Sequence, residues 1–384
     1  NNTTIFDNEA GSCRSFAPDW LALYLLTFQN FSPCGRIGNV IWGGKSMGSE
    51  SSHSPCIMKA MVHAYLRAET LLKTIHMNLI SREMIDLLGQ NWGRPIWEDL
   101  PQGRADMARA DNATKTYIGR LVPLSRAIRL NESGDAIVLG AALVYESEWR
   151  ETAATIILRE IKKEMTPATL GLTINKALWR DAHSLSVLAK TQNNMIGGPL
   201  ALTNMDVSHE CDLWCGGMVA DNSKLIDTVE SVLKLPPAMF SDQGQGVYRD
   251  GVQHAEQWAK KLNRGISNYH KLLKDELDRQ EFRKRGDLVK RKAAAHFWTS
   301  TEQRVPDLLA VTTNPKELYP DGATEPNWAA TRWGRALARH AREAYDLACP
   351  RQTPRQMQAY VEGLKALFEV RPTSSPQEET HHEQ

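Results

Sequence analysis

Gly43, Gly44 and Lys45 are the residues of this chain whose types and spacing most readily suggest chemistry; they lie in Trp42-Gly43-Gly44-Lys45-Ser46-Met47-Gly48-Ser49. Glycine has no Cβ, so the backbone here can reach positive φ and let a flat or anionic ligand approach its peptide N–H groups, with a lysine ammonium alongside. That chemistry suits phosphate or the floor of a nucleic-acid groove. A loop of this composition is also the ordinary form of a solvated surface connection. A nucleotide-hydrolysing P-loop using Lys45 is a third reading, and its spacing fails. The motif needs Gly, four residues and then Gly-Lys-Ser/Thr, but the position five before Gly44 is Asn39, and Gly38 lies one residue too far out. Ser49 to Pro55 also keeps the chain irregular where a P-loop helix would start, and no apolar run ending in Asp offers a magnesium partner.

A second concentration of chemistry is basic. Between Arg249 and Ser300 stand 13 Lys and Arg against 7 Asp and Glu, with the excess in Arg279, Arg283, Lys284, Arg285, Lys290, Arg291 and Lys292. Such a run is either a solvated helix face or a track of phosphate contacts. The six cysteines, at 13, 34, 56, 211, 215 and 349, lack CxxC spacing, so neither a zinc ribbon nor a disulfide scaffold is indicated. Cys211, Cys215 and the nearby His209 could hold a metal, but reduced thiols are the simpler expectation; no metal and no cofactor is expected. His63 and His76 read as core-edge histidines rather than ligands.

The elements that must position these residues can be taken in order. Trp20, Leu21, Tyr24, Leu25 and Phe28 recur at helical spacing from Pro18 to Phe31, predicting a helix with a buried face. After Pro55, Ile57, Met61, Tyr65, Leu66, Leu71, Leu72, Ile75 and Leu79 predict a longer helix. Gly89 to Pro101 reads as an aromatic-anchored connection. Tyr117 to Leu124, Ala127 to Leu130 and Ala136 to Tyr145 read as antiparallel strands, the last two joined by a turn at Glu132-Ser133-Gly134-Asp135, while Thr152 to Leu158 fits either strand or helix. Trp179 to Ala189 reads as helix. After Gly197-Gly198-Pro199, the apolar run Leu200 to Val207 is broken by the polar pair Thr203-Asn204, a hairpin signal whose ordinary role would be to close a sheet. Leu225, Ile226, Val229, Val232 and Leu233 then predict a short amphipathic helix. Long helical patterns follow over His254 to Phe282, Asp287 to Ala310, Trp328 to Cys349 and Pro354 to Phe368, the sequence form of a helical bundle.

The expected class is therefore α+β: a mixed helix and antiparallel-sheet domain over 1–221, a four-helix bundle over 222–370, and a disordered tail over 371–384 rich in Pro, Ser, Gln and Glu. At 384 residues with 42% hydrophobic and 24% charged residues, the chain has material for two cores. Its formal net charge of +1 excludes no class of partner. No segment reaches the ~18 apolar residues of a membrane span and no signal-peptide pattern opens the chain, so a cytoplasmic protein is expected.

Two stretches carry a family resemblance. Ala293-Ala294-Ala295-His296-Phe297-Trp298, with Glu302 and Val305-Pro306-Asp307-Leu308-Leu309-Ala310, resembles the bundle signature of CasA, the large subunit of the type I-E CRISPR surveillance complex Cascade. Leu66-Arg67-Ala68-Glu69-Thr70-Leu71-Leu72, leading to Asn78-Leu79-Ile80, is similar to the helix behind that family's glycine loop. The order of features agrees over roughly 18–370, and the chain is expected to lack the family's N-terminal portion. The resemblance implies a non-enzymatic subunit that reads the short PAM in duplex DNA, starts strand separation, holds the displaced strand and supports recruitment of a helicase-nuclease. Its partners would be target DNA, crRNA, other Cascade subunits and that effector. Matched by position, Gly43, Gly44 and Lys45 correspond to the minor-groove loop, and Leu202, Thr203 and Asn204 to the strand-separating wedge. Lys284, Arg285 and Lys290 would face the displaced strand. The family's wedge often carries glutamine where this chain has Leu202-Thr203-Asn204, and one member's lysine finger falls near Gly134-Asp135 here. A helical interaction scaffold without a nucleic-acid role is the alternative.

Overall fold

Period-two alternation, not helical spacing, governs the segment 224–235, and this moves the division of the chain. Lys224–Leu235 buries Leu233 and Leu235 while exposing Ile226, Thr228, Val232 and Lys234, the signature of a strand with one face inward. The helix expected over Leu225 to Leu233 is thus absent, and the expected boundary at 221/222 falls inside a hairpin. The computed structural model describes residues 17–31, 40–42, 45–47, 61–101, 106–130, 137–141, 143, 145, 149–189, 196–221, 224–273, 279–320 and 323–368. It divides into two units, 1–245 and 246–384. The tail expected to be disordered, 371–384, lies outside the described residues.

The first unit opens with α1 (Pro18–Phe31), at the expected bounds but without the expected buried face. Trp20, Leu23, Tyr24, Leu26, Phe28 and Phe31 are all exposed, and Gln29 is its buried residue, exchanging two hydrogen bonds with the Arg126 backbone at 2.8 and 3.0 Å. Next come β1 (Val40–Trp42) and β2 (Lys45–Met47), an antiparallel pair. The long helix expected after Pro55 is instead, within the described residues, β3 (His63–Arg67) followed by α2 (Leu71–Asn78). Thr70 separates them by accepting a hydrogen bond from Lys73 N at 3.2 Å, which caps α2. Two further helices, α3 (Arg82–Leu87) and α4 (Met107–Lys115), lead to α5 (Tyr117–Leu121), a short helix where a strand was expected. Thr116 explains that difference, since its hydroxyl accepts from Gly119 N at 3.1 Å and starts a helical turn.

β4 (Arg126–Leu130) and β5 (Ile137–Ala141) pair antiparallel as expected. The undecided stretch after Thr152 becomes β6 (Ile156–Ile161), which pairs with β7 (Glu164–Thr169). Trp179 to Ala189 is only a 3-10 turn and one turn of helix, α6 (Ala182–Leu185). A three-stranded antiparallel sheet completes the unit, with β8 (Cys211–Asp221) between β3 and β9 (Lys224–Leu235). Ala64, Leu66, Leu213, Cys215 and Leu233 face the core, while Tyr65 stacks on Trp214 across the other face at 4.7 Å. Asn78 of α2 covers part of the free edge of β3, accepting from Leu66 N at 2.9 Å and donating to Leu66 O at 2.7 Å.

The second unit is helical: most of α7 (Asp242–Leu272), then α8 (Arg279–Glu302), α9 (Val305–Thr313), α10 (Arg332–Ala348) and α11 (Pro354–Phe368). The expected helix over His254 to Phe282 thus starts earlier, at Asp242, and ends at Leu272. Helices α7 and α11 cross closely. A Cβ on Gly363 would lie 2.1 Å from the Tyr345 hydroxyl and 2.6 Å from Gly265 O, so only glycine fits there. Arg264 adds a bond to Ala366 O at 2.7 Å, and the buried Trp333 of α10 donates to Gly251 O at 3.0 Å. No helix among the described residues is long and apolar enough to cross a membrane.

Candidate functional site

The glycine segment is held by a hairpin. β1 and β2 pair Val40 with Met47, Ile41 with Ser46 and Trp42 with Lys45, leaving only Gly43 and Gly44 between the strands. Gly43 and Gly44 themselves lie outside the described residues, as does the side chain of Lys45. The backbone already excludes the P-loop reading. Lys45 begins a strand paired antiparallel to the one before it, whereas a P-loop lysine opens a helix whose N-terminal N–H groups cradle phosphate.

The wedge residues are placed otherwise than expected. Leu200–Asn204 is a 3-10 turn, not a hairpin, and Leu202 is fully buried, so its side chain is not available to stack against a base. Thr203 bonds back to Leu200 O at 2.7 Å, and Asn204 donates to Met77 O at 3.1 Å and Leu79 O at 2.6 Å, tying this turn to the end of α2. The Gly-Gly pair before it serves packing. A Cβ on Gly198 would sit 2.1 Å from Leu185 O, and the Arg150 guanidinium donates to Gly198 O at 2.8 Å and to Ala154 O at 2.6 Å. Burial pulls the Arg150 pKa down to about 10, as expected of a cation used as internal bracing. Arg120 braces the same region: its guanidinium lies over the rings of Tyr145 and Trp149, donates to Thr114 O at 2.6 Å and pairs with Glu151.

The hairpin that follows this turn in the chain is β8–β9. Its pairing runs from Cys211↔Leu235 out to Asp221↔Lys224, with a register shift at Val219/Ala220 and with Asn222 and Ser223 outside the described residues. The signal was present in the β-branched residues Ile226, Thr228, Val229 and Val232, and the helical spacing of Leu225, Ile226, Val229, Val232 and Leu233 masked it.

In the helical unit, Lys284 is exposed and Lys290 half-buried, while the side chain of Arg285 lies outside the described residues. The Lys290 charge adds to burial in lowering the pKa of His270 on α7, so Lys290 faces a neighbouring helix as well as solvent. A second basic row was missed. Arg332, Arg335, Arg339 and Arg342 recur at helical spacing along α10, which packs on α8, although Arg342 is engaged by Asp346 at 3.2 Å, Arg339 by Glu343 at 3.8 Å and Arg335 by the Ala330 carbonyl at 2.5 Å. Of the thiols considered as metal ligands, Cys211 and Cys215 are buried, and burial pushes each up to about 12. His209 turns instead to Asp206 and Ser208 at 3.1 and 3.0 Å, and no cluster of three potential ligands occurs among the described residues.

No curated protein matches the sequence. Among solved structures, CasA of Thermus thermophilus aligns over 94% of this chain and 73% of its own, with a TM-score of 0.68 at 18% identity. Cse1 of Acidimicrobium ferrooxidans aligns over the same shares, 94% and 73%, with a TM-score of 0.61 at 15% identity. A chain of a structure described as a CRISPR RNA-guided surveillance complex aligns over 93% of this chain and 69% of its own, with a TM-score of 0.57 at 14% identity. At these identities the likeness shows the fold, a mixed helix and antiparallel-sheet architecture. The family model of CRISPR-associated protein Cse1, the family to which a Thermus structure gives the joint name CasA (Cse1), matches residues 1–344, and the chain belongs to that family.

Proposed function

We propose that this chain is the large, non-catalytic subunit of a type I-E Cascade complex, in the cytoplasm, with crRNA and the other Cascade subunits as partners. It recognises the PAM in duplex DNA, starts strand separation and supports recruitment of the helicase-nuclease. Its helical unit is the four-helix bundle of that subunit, formed by α7, α8, α10 and α11, and Lys284, Arg285 and Lys290 on α8 meet the displaced strand.

The observation that supports this most is the β1–β2 hairpin, with Gly43 and Gly44 between Trp42 and Lys45, in a member of the Cse1 family. The minor groove is narrow and its base code degenerate, so glycine backbone entering it gives relaxed recognition and leaves sequence to the guide. With Leu202 buried, the wedge role passes to the far end of the β8–β9 ribbon, around Asp221 and Lys224.

The test is Gly44→Leu in the assembled complex. A larger side chain cannot share a groove ~6 Å wide with the backbone, so binding of a PAM-containing duplex should weaken while a single-stranded target is bound nearly as before. Equal binding of both targets by wild type and variant would remove the glycine hairpin from recognition.

A further inference from the structure

The β6–β7 hairpin turns through Lys162 and Lys163 alone, between the paired residues Ile161 and Glu164. Both lysines have positive φ, 52° and 69°, and they are the only non-glycine residues in that region of backbone space among the described residues. A two-residue hairpin loop with both φ positive is the type I′ geometry, which favours Asn-Gly or Gly-Gly. Left-handed backbone drives a Cβ towards the following carbonyl oxygen, and lysine lacks the short polar side chain that lets Asn bond locally in compensation. Both side chains are exposed, and among the described residues no ion pair holds either ammonium. The pair therefore weakens its own turn at two successive positions while presenting two unengaged cations at the end of a ribbon. Strain of this kind is a reason to look for function.

We propose that the Lys162-Lys163 turn is a phosphate-backbone contact for duplex DNA, separate from the glycine hairpin and from α8. The inference rests on the DNA-recognition reading and adds a site to it. A lysine ammonium is a compact point charge that binds phosphate without regard to base sequence, so the contact positions the duplex and leaves its sequence unread.

The double substitution Lys162→Asn/Lys163→Gly separates turn from contact, because it installs the pair that the backbone favours while removing both charges. The full chain, wild type and variant, would be titrated with a linear duplex of mixed sequence over a range of salt, and both would be melted. The variant should melt about 2 to 4 °C higher. Its slope of log affinity against log salt should be flatter by about 1.8, the value for two lost phosphate contacts on B-form DNA. Lys162→Arg/Lys163→Arg should keep the wild-type slope. If the wild type binds duplex and the Asn-Gly variant binds with an unchanged slope, this inference fails and the DNA-recognition reading stands. If the wild type binds no duplex, alone or in the assembled complex, both fail.

Discussion

Leu202 shows how a single side chain can carry opposite meanings in sequence and in structure. Beside Thr203-Asn204 it reads as the apolar tip of a hairpin, a position where truncation would leave stability untouched. In the folded chain it is fully buried, and its turn is tied to α2 through Asn204. Leu202→Ala should therefore destabilise the first unit by about 2 to 5 kcal/mol, the range for a leucine cavity that its neighbours refill only in part. Chemical denaturation followed by far-UV circular dichroism would measure this, and an unchanged midpoint would return Leu202 to the surface. The sequence could not make the distinction because the features that bury Leu202 are remote in the chain. One is the Gly198 backbone against Leu185 O, and the other is the Asn204 amide reaching Met77 and Leu79. Gly197-Gly198, which precedes this run, is a close-packing pair.

Among the elements, those set by local pattern were legible and those set by pairing were not. Helix α1, the strands β4 and β5 and the helices α10 and α11 fall where periodicity and Pro placement put them. β3 and β9 were misread as helix because leucine, tyrosine and valine fall at both spacings there. What decides the outcome is β8, which pairs with both and lies at 211–221, far from β3 in sequence. The ribbon thus revealed is anchored at Leu213, Leu233 and Leu235 in the core, and its outer end extends about 25 Å from that anchor at ~3.3 Å per residue. Joining Met218 to Thr228 through Asn-Gly would remove the outer end and spare the core pairs. If that end opens the first base step, a cost on the order of 1 to 2 kcal/mol, the shortened ribbon should slow R-loop formation on a linear duplex several-fold. The defect should disappear on a target already mismatched beside the PAM. Equal slowing on closed and pre-opened targets would make the ribbon a structural closure only.

At the scale of the whole molecule, each unit contains a histidine that folding keeps neutral. Burial lowers His63 in the first unit from 6.5 to about 4, and it does the same to His254 in the second, with the Lys261 charge contributing. His254 is also held by a hydrogen bond that needs its unprotonated form, since Trp258 Nε1 donates to His254 Nε2 at 3.2 Å. With the folded pKa depressed, the stability each site contributes is intact above about pH 6.5 and is lost as pH falls towards 4, where the unfolded chain takes up a proton that the native site refuses. The loss is on the order of 2 kcal/mol per histidine at pH 5. Glu151 acts in the opposite sense, because burial raises its carboxyl and protonation in acid then favours the native state. The comparison that isolates each histidine is therefore a variant against the wild type at two pH values, not the wild type alone. His63→Gln should reduce the fall in denaturation midpoint between pH 7.5 and pH 5 for the transition of the first unit, and His254→Gln should do so for the second. If neither substitution reduces the pH dependence of its unit, neither imidazole is excluded from protonation, and the acid sensitivity of the chain would have to come from other groups, among them the carboxylates and His270 and His340, whose pKa values burial also lowers.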